Sequence, residues 1–305
     1  MTFVISGASS SIAGLVLDEL AGTIAPEQIV LVTRNPARLR DRQDRGYRLV
    51  EGDPSDPASL TRAYEGASRL LLISGLNVGS RVADHRNGIE AAKAVGIEHL
   101  IYTSVAGAHP TNPTPSAREH FQTELDLYDS GLSFAALRNQ YYLEAWVPTI
   151  RNVAAFGKGT FRMVGEHGLV APISTRDIAR SAARIMLAPE RHDRVVYELT
   201  GPQQLTYPQI VALYSQIFEP VEYCPITQEQ YYDILGQRGW PRHFDPSFPA
   251  PVCFGMEETV QQMVANEAGY QNVLTGSVEF ITGQKPRLAQ EVFTEIRARQ
   301  DDGRA

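Results

Sequence analysis

Short apolar runs alternate with amphipathic segments along the first half of the chain. Residues 12–20 and 87–95 place their apolar side chains at helical spacing, and Gly96 follows the second segment as a C-cap. The runs at 29–32 and 70–73 are apolar throughout, as in strands that helices cover on both faces. Six runs have the length and composition of strands, and they cover residues 3–5, 29–32, 47–50, 70–73, 99–102 and 134–137.

This strand–helix alternation predicts an α/β fold of the Rossmann type, with a doubly wound parallel sheet and right-handed crossovers. We assign the nucleotide-binding domain to residues 1–155 and expect a strand near 194–199 to return to it. Residues 156–305 are predicted to form mostly a smaller α/β lobe that binds substrate, together with the C-terminal tail. Within this lobe, residues 238–255 are rich in proline and aromatic side chains, which predicts an irregular loop.

Composition and charge narrow the function classes. The 305 residues are 43% hydrophobic and 21% charged, an ordinary globular composition without an apolar run of membrane-spanning length. The chain starts directly in a predicted strand, and its two cysteines, Cys224 and Cys253, have no metal-site spacing. Both features predict a cytoplasmic protein. A net charge of −7 argues against nucleic-acid and anionic-lipid partners.

The first strand–helix junction carries the strongest chemical signal. A dinucleotide-binding turn needs glycines for the tight turn, for close approach to the diphosphate and for helix packing. Gly7 fills the first position, whereas Ser10 and Ala13 stand at the second and third. The Ser10 hydroxyl donates to a phosphate, or its bulk weakens binding, or the serines only cap a helix; all three remain open. We predict that the diphosphate contacts are Gly7, Ser9, Ser10, Ser11 and Ile12.

The end of the second predicted strand decides between the two nicotinamide cofactors. NAD sites place an acidic residue there to bind the ribose 2′-hydroxyl, and this chain has none. Arg34 stands there instead, and a guanidinium can pair with a 2′-phosphate. Arg38, four residues further on, is interpreted as a cap or a surface residue of the next helix. The sequence therefore predicts NADP(H).

Further candidates follow from the rule that ligands of open parallel sheets bind outside the carboxyl ends of the strands. Asp53 is predicted beside the adenine. Ser74, Gly75 and Thr103 are predicted near the ribose and nicotinamide, and Asn139 is predicted as a cofactor contact that faces the substrate side. The candidate substrate contacts are Tyr141 and Tyr142. Their rings either stack on an aromatic acceptor or pack in the core.

Several segments together resemble one family. The first is Ser-Gly-Ala-Ser at 6–9, and the second is Val-Thr-Arg-Asn-Pro at 32–36. The others include Gly-Asp at 52–53, Tyr-Thr-Ser at 102–104, Glu-His at 119–120, Leu-Arg-Asn at 137–139 and Thr-Gly-Gln-Lys-Pro-Arg at 282–287. The chain resembles the NmrA-like atypical short-chain dehydrogenases, nearest their quinone oxidoreductase and triphenylmethane reductase branch. The resemblance implies NADP(H) contacts at 7–12, 34 and 139–144, although some members bind the dinucleotide only to sense redox state.

The usual proton donor of short-chain dehydrogenases is absent. That mechanism needs a tyrosine with a lysine four residues later, and none of the three lysines follows a tyrosine in this way. His120, where some relatives carry the lysine, is the candidate proton donor, with Ser104 as a tentative polar neighbour of the nicotinamide. The alternative is that His120 only caps or packs. Glu119 and Glu124 are expected on a solvated helix face.

Three hypotheses follow. The first is an NADPH-dependent oxidoreductase that transfers hydride to a quinone or a related conjugated aromatic or carbonyl acceptor, which needs little help from an acid. The second is an NADP-binding redox sensor without turnover. The third is a tailoring enzyme for polyketide or aromatic intermediates, acting by ketone reduction or by non-redox chemistry. A small aromatic molecule is the expected partner, with a homodimer as a candidate assembly.

Overall fold

A computed structural model describes residues 1–303 of the chain. The strands are β1 (Phe3–Ser6), β2 (Ile29–Thr33), β3 (Arg48–Glu51), β4 (Arg69–Leu72), β5 (His99–Val105), β6 (Phe134–Asn139), β7 (Thr160–Val164), β8 (Leu169–Val170), β9 (Val195–Leu199), β10 (Leu205–Thr206) and β11 (Glu222–Ile226). The helices are α1 (Ser11–Leu20), α2 (Arg40–Asp44), α3 (Pro57–Tyr64), α4 (Arg81–Ala94), α5 (Pro115–Ser130), α6 (Leu143–Phe156), α7 (Thr175–Leu187), α8 (Tyr207–Ile217), α9 (Gln228–Gln237), α10 (Gly255–Glu267), α11 (Ser277–Thr282) and α12 (Ala289–Asp301). Within the described part of the chain, every helix is too short or too polar to cross a bilayer.

Seven strands form the main sheet, in the order β3-β2-β1-β4-β5-β6-β9. The pairs β1–β2, β2–β3, β1–β4 and β4–β5 are parallel. The strand order reverses between β1 and β4, which is the topological switch point at which such sheets bind ligands. The Rossmann-type fold predicted from the sequence is confirmed, and β9 lies at the end of the sheet.

Apolar side chains cover this sheet and explain why its strands lack polar alternation. Val4, Val30 and Leu70 belong to one buried cluster with Tyr64 of α3 and Ile89 of α4. Every residue of β2 is buried. Complete burial of one aliphatic side chain contributes about 1.5–3 kcal/mol to folding, so the apolar runs are sufficient to fix the sheet.

The chain folds into two compact units. The first comprises Met1–Val105, Glu119–Arg138 and Ile178–Tyr197, and the second comprises Ala106–Arg118, Asn139–Asp177 and Glu198–Ala305. The second unit holds two small sheets, parallel β7–β11 and antiparallel β8–β10, around a core that includes Trp146, Phe161, Tyr207, Tyr214 and Phe293. Between α9 and α10 only residues 252–254 form a short 3-10 turn, so the irregular segment is confirmed.

Candidate active site

The turn after β1 requires glycine at its first position. Gly7 has a φ of +83°, and a Cβ atom added to it would lie 3.1 Å from both Cβ and the carbonyl oxygen of Ile73. The N–H groups of Gly7 and Ala8 both donate to the carbonyl of Val32, at 3.2 and 3.1 Å. Any larger residue would be strained here and would push against the residue that follows β4. This turn therefore has the shape that a diphosphate-binding loop needs.

Ser10 is the N-cap of α1, at the position where the motif lacks its second glycine. Its φ of −75° and ψ of 156° are open to any residue, and its Oγ accepts from the N–H of Ala13 at 3.2 Å. The hydroxyl proton remains available for a phosphate oxygen. The N–H groups of Ser11 and Ile12 stand at the first two helical positions, which have no partner inside a helix. The side chains of Ser9 and Ser11 are exposed, whereas Ile12 is buried.

Two predicted adenosine contacts, Arg34 and Asp53, follow β2 and β3. The Arg34 side chain is exposed. The Asp53 carboxylate accepts from the N–H and the hydroxyl of Ser55, at 2.9 and 2.8 Å. These two bonds, together with nearby Arg34, hold the pKa of Asp53 below its usual value. Sequence analysis did not single out Arg42, whose guanidinium would be 3.1 Å from a Cβ at Gly14 of α1.

The ends of β4 and β5 are joined through Ser74 and Thr103. The Ser74 N–H donates to Thr103 Oγ1 at 2.9 Å, and the Thr103 hydroxyl donates to Ser74 Oγ at 3.3 Å. Gly75 follows, and its carbonyl accepts from Arg81 Nε at 3.1 Å. Buried Arg81 also pairs with Glu119 at 2.9 Å. The expectation of a solvated Glu119 is therefore wrong, because its side chain is 15% exposed and anchors the segment after β4.

Ser104 belongs to a buried polar triad. Its hydroxyl donates to Glu124 Oε1 at 2.6 Å, and Glu124 also accepts two hydrogen bonds from Arg138, at 2.9 and 2.6 Å. Glu124 is 3% exposed, so the expectation that it lies on a solvated helix face is also wrong. The ion pair with Arg138 of β6 offsets the cost of burying the Glu124 carboxylate. In this arrangement Ser104 is a donor to a carboxylate.

His120 lies in a buried hydrogen-bonded cluster with Tyr102 of β5 and His85 of α4. The Tyr102 oxygen is 2.6 Å from Nδ1 of His120 and 3.1 Å from Nδ1 of His85. Burial, with Arg81 and His85 nearby, lowers the pKa of His120 well below its usual value. His120 is therefore neutral at pH 7. Tyr102 was not predicted as a site residue, although it shares a β5 face with Ser104, just as His120 and Glu124 share a face of α5.

The burial of His85 predicts that the protein loses stability in acid. Burial, and to a lesser extent Arg81, lowers the pKa of His85 to about 3. Below pH 6.5 the unfolded chain binds a proton at this histidine that the folded protein does not bind, so stability falls as the pH falls toward 3. We expect His85 alone to lower the free energy of unfolding by about 2 kcal/mol between pH 7 and pH 5. Urea unfolding at both pH values measures this loss.

The matched variants for that measurement are His85→Asn and His243→Gln. Asparagine keeps an N–H for Thr123, which contacts Nδ1 of His85 at 2.9 Å, but it does not titrate. We expect the Asn variant to lose about 2 kcal/mol less than the wild type between the two pH values. The control His243→Gln, at an exposed position, should lose as much unfolding free energy between the two pH values as the wild type. An unchanged pH dependence in His85→Asn would contradict the prediction.

The predicted substrate-side residues, Asn139, Tyr141 and Tyr142, lie in the second unit. Asn139 is 3% exposed, and its amide lies next to the Tyr142 hydroxyl. Tyr141 packs against the core of this unit, with its ring 6.4 Å from Trp146. Burial raises the pKa of both tyrosines, so both hydroxyls stay protonated. Glu144 accepts from the Ser174 hydroxyl and the Thr175 N–H and thereby caps α7.

Comparisons with known proteins agree with this geometry. A family profile described as NAD(P)H-binding matches residues 7–189. Quinone oxidoreductase 2 of Escherichia coli K12 is 36% identical over 238 residues, which are 78% of this chain and 82% of that protein. A crystal structure of an NADPH-dependent quinone oxidoreductase from Escherichia coli, in complex with NADPH, has a TM-score of 0.85 at 29% identity and covers 97% of this chain and 99% of its own.

One further relative agrees with the family resemblance, and one further solved structure shares the fold. An NmrA-like family domain-containing oxidoreductase of Aspergillus flavus is 27% identical over 240 residues, which are 76% of this chain and 77% of that protein. The triphenylmethane reductase of Citrobacter sp., solved with NADP(H), shares the fold at a TM-score of 0.83. It is 24% identical, and the match covers 97% of this chain and all of the reductase chain.

Proposed function

Because the chain belongs to the NAD(P)H-binding, NmrA-like family, we propose that it is an NADPH-dependent oxidoreductase that transfers hydride to a quinone or a related conjugated acceptor. The similarity to quinone oxidoreductase 2, which covers more than two thirds of both chains, supports this activity. The observation that carries the proposal is the turn after β1, where a glycine with positive φ precedes a helix N-terminus with a free hydroxyl proton.

The cofactor would be held by residues of the first unit. Gly7, Ser9 and Ser10, with the N–H groups of Ser11 and Ile12, would bind the diphosphate. The 2′-phosphate would pair with Arg34, and Asp53, Ser74, Gly75 and Thr103 would contact the adenosine and nicotinamide ribose. NADPH supplies the hydride when it is bound. The chain's own contribution is to hold this donor and the acceptor in a reactive orientation.

The acceptor side needs no strong acid. A quinone is electron-poor, and it takes hydride without prior protonation. His120 is the proposed donor group toward its oxygen, and Ser104 stays a proposed polar neighbour of the nicotinamide. Asn139 is a proposed cofactor contact on the substrate side. Tyr141 and Tyr142 are the proposed acceptor contacts, because aromatic rings can stack on a planar acceptor. The small acceptor would be the main partner of the protein.

Steady-state oxidation of NADPH, followed by its near-ultraviolet absorbance with a panel of quinones, ring ketones and triphenylmethane dyes, tests the proposal. We expect turnover with quinones. Saturable NADPH binding without turnover on any acceptor would support the redox-sensor hypothesis instead. Turnover restricted to ring ketones, or product formed without NADPH, would support the tailoring enzyme.

Ser10 gives a sharper test of the phosphate-binding turn. Glycine costs an N-cap only a few tenths of a kcal/mol relative to serine, so Ser10→Gly should fold normally. We expect it to bind NADPH about tenfold more weakly, because it removes one hydrogen bond to a charged phosphate. Titration calorimetry measures this difference, and Ser10→Thr, which keeps the hydroxyl, should bind like the wild type. Tighter binding by Ser10→Gly would mean that the side chain only obstructs.

A further inference from the structure

The hydrogen-bond partners determine which atom carries each proton in the buried cluster around Tyr102. The Thr123 hydroxyl donates to the carbonyl of Glu119, four residues earlier on α5, at 3.0 Å. It therefore accepts from His85, whose Nδ1 lies 2.9 Å away and must carry the proton. Because this Nδ1–H also points at the Tyr102 oxygen, the phenol proton goes to Nδ1 of His120. The proton of neutral His120 is then on Nε2.

Nε2 of His120 is the open end of this cluster. No group within residues 1–303 hydrogen-bonds this nitrogen. Unlike Nε2 of His85, which is fully enclosed, Nε2 of His120 is partly accessible. Its N–H therefore faces accessible space. Glu119, the residue before His120 on α5, accepts from the N–H of Gly79 and pairs with Arg81, so this turn of the helix lies against the segment that follows β4. The open N–H thus belongs to the part of α5 beside the carboxyl edge, where such sheets bind their ligands.

We propose that His120 is a neutral catalytic hydrogen-bond donor, whose Nε2–H binds the quinone oxygen that becomes negative during reduction, and that Tyr102 is the positioning residue that fixes this tautomer. The inference rests on the proposed quinone reduction. A neutral imidazole with a lowered pKa can polarise a carbonyl without giving up its proton. Arg81 of α4 favours this state, because its guanidinium disfavours a second positive charge nearby.

The reaction balances without net transfer from the protein. The quinone gains a hydride from NADPH, which leaves as NADP⁺, and one quinone oxygen becomes a phenolate. That oxygen then takes a proton from solvent to give the hydroquinone. Tyr102 cannot replace the solvent as proton source, because burial raises its pKa far above the usual value. Glu119 and Glu124 of α5 raise it further.

Nitrogen-15 NMR of the histidine rings tests the proton arrangement without any turnover. We expect His120 to be neutral and protonated on Nε2 across the neutral and mildly acid range, and His85 to be neutral and protonated on Nδ1. In Tyr102→Phe the His120 signal should change to a mixture of tautomers. Tyr64→Phe is the matched control, since Tyr64 is also fully buried and donates to Ser6 Oγ at 3.0 Å. An imidazolium, or a proton on Nδ1 of His120, would overturn the inference.

Kinetics test the catalytic role. Glutamine can place an N–H near the Nε2 position but cannot form an imidazolium. We expect His120→Leu to lower kcat with a quinone by about 10- to 100-fold, with the KM for NADPH unchanged. His120→Gln should stay within about fivefold of the wild type, and adding Tyr102→Phe to it should cost nothing further, because an amide has no tautomer to fix.

Two kinetic outcomes would overturn the inference. If His120→Gln is as slow as His120→Leu, and the wild-type rate falls as the pH rises through about 6.5, then His120 acts as a charged acid. If both variants keep full activity, His120 does not contact the acceptor. If the wild type binds NADPH but reduces no quinone, the proposed function fails instead, and the NMR experiment still tests the tautomers.

Discussion

Replacement of Glu124 by alanine is expected to lower the free energy of unfolding by about 3 kcal/mol. The Glu124 carboxylate is buried and accepts hydrogen bonds from the Arg138 guanidinium and the Ser104 hydroxyl. Alanine removes the negative charge that the Arg138 guanidinium pairs with and the acceptor of the Ser104 hydroxyl. Loss of one partner from a buried ion pair costs far more than loss of an exposed pair. Urea unfolding of the purified protein at neutral pH measures the difference.

Glu90 offers the matched control. It pairs with Lys93 on the surface of α4 at 3.0 Å, and its side chain is 65% exposed. Glu90→Ala should change the free energy of unfolding by less than about 0.5 kcal/mol. A loss of the same size in both variants would contradict the assignment of Glu124 as a buried structural carboxylate.

The main sheet is predictable from sequence because its signal is local and repeated. Strands such as 29–32 are apolar on both faces, and α1 buries one apolar face that includes Ile12, Val16 and Leu20. The turn at Gly7 is equally local, since one glycine supplies the positive φ. The N-cap at Ser10 is local as well, because its hydroxyl accepts from the N–H of Ala13 three residues later. The two-residue strands β8 and β10 carry too little pattern to be predicted.

Buried polar groups are the part that sequence reasoning gets wrong. Polar residues on a helix are normally solvated, and nothing in the spacing of Glu119 and Glu124 indicates otherwise. Their partners, Arg81 and Arg138, lie 38 and 14 residues away in the chain. Only the tertiary fold pairs them. The same holds for His120, whose proton positions depend on Tyr102 and His85, and these contacts decide which chemistry the imidazole can perform.

The second large effect is expected on cofactor choice, through Arg34→Ala. Arg34 is exposed directly after β2, and residues 32–38 contain no Asp or Glu to bind a ribose 2′-hydroxyl. A charge-assisted hydrogen bond from its guanidinium to the 2′-phosphate contributes about 1.5–3 kcal/mol. We therefore expect the KM for NADPH to rise by about 10- to 100-fold, with the KM for NADH changing much less. Initial rates with a fixed quinone and either cofactor measure both values.

Arg38→Ala separates this specific contact from general positive charge. Arg38 is also exposed and lies four residues further on, in the 3-10 turn Pro36–Leu39. If the 2′-phosphate is attracted only by the basic surface, the two alanine variants should weaken NADPH binding equally, and salt should abolish the difference from the wild type. If Arg34 pairs with the phosphate, Arg38→Ala stays close to the wild type and Arg34→Lys keeps part of the preference, because lysine retains the charge without the planar fork. An Arg34→Ala variant that still prefers NADPH as strongly as the wild type would move the 2′-phosphate site elsewhere, with Arg42 beside α1 as the next cation to replace.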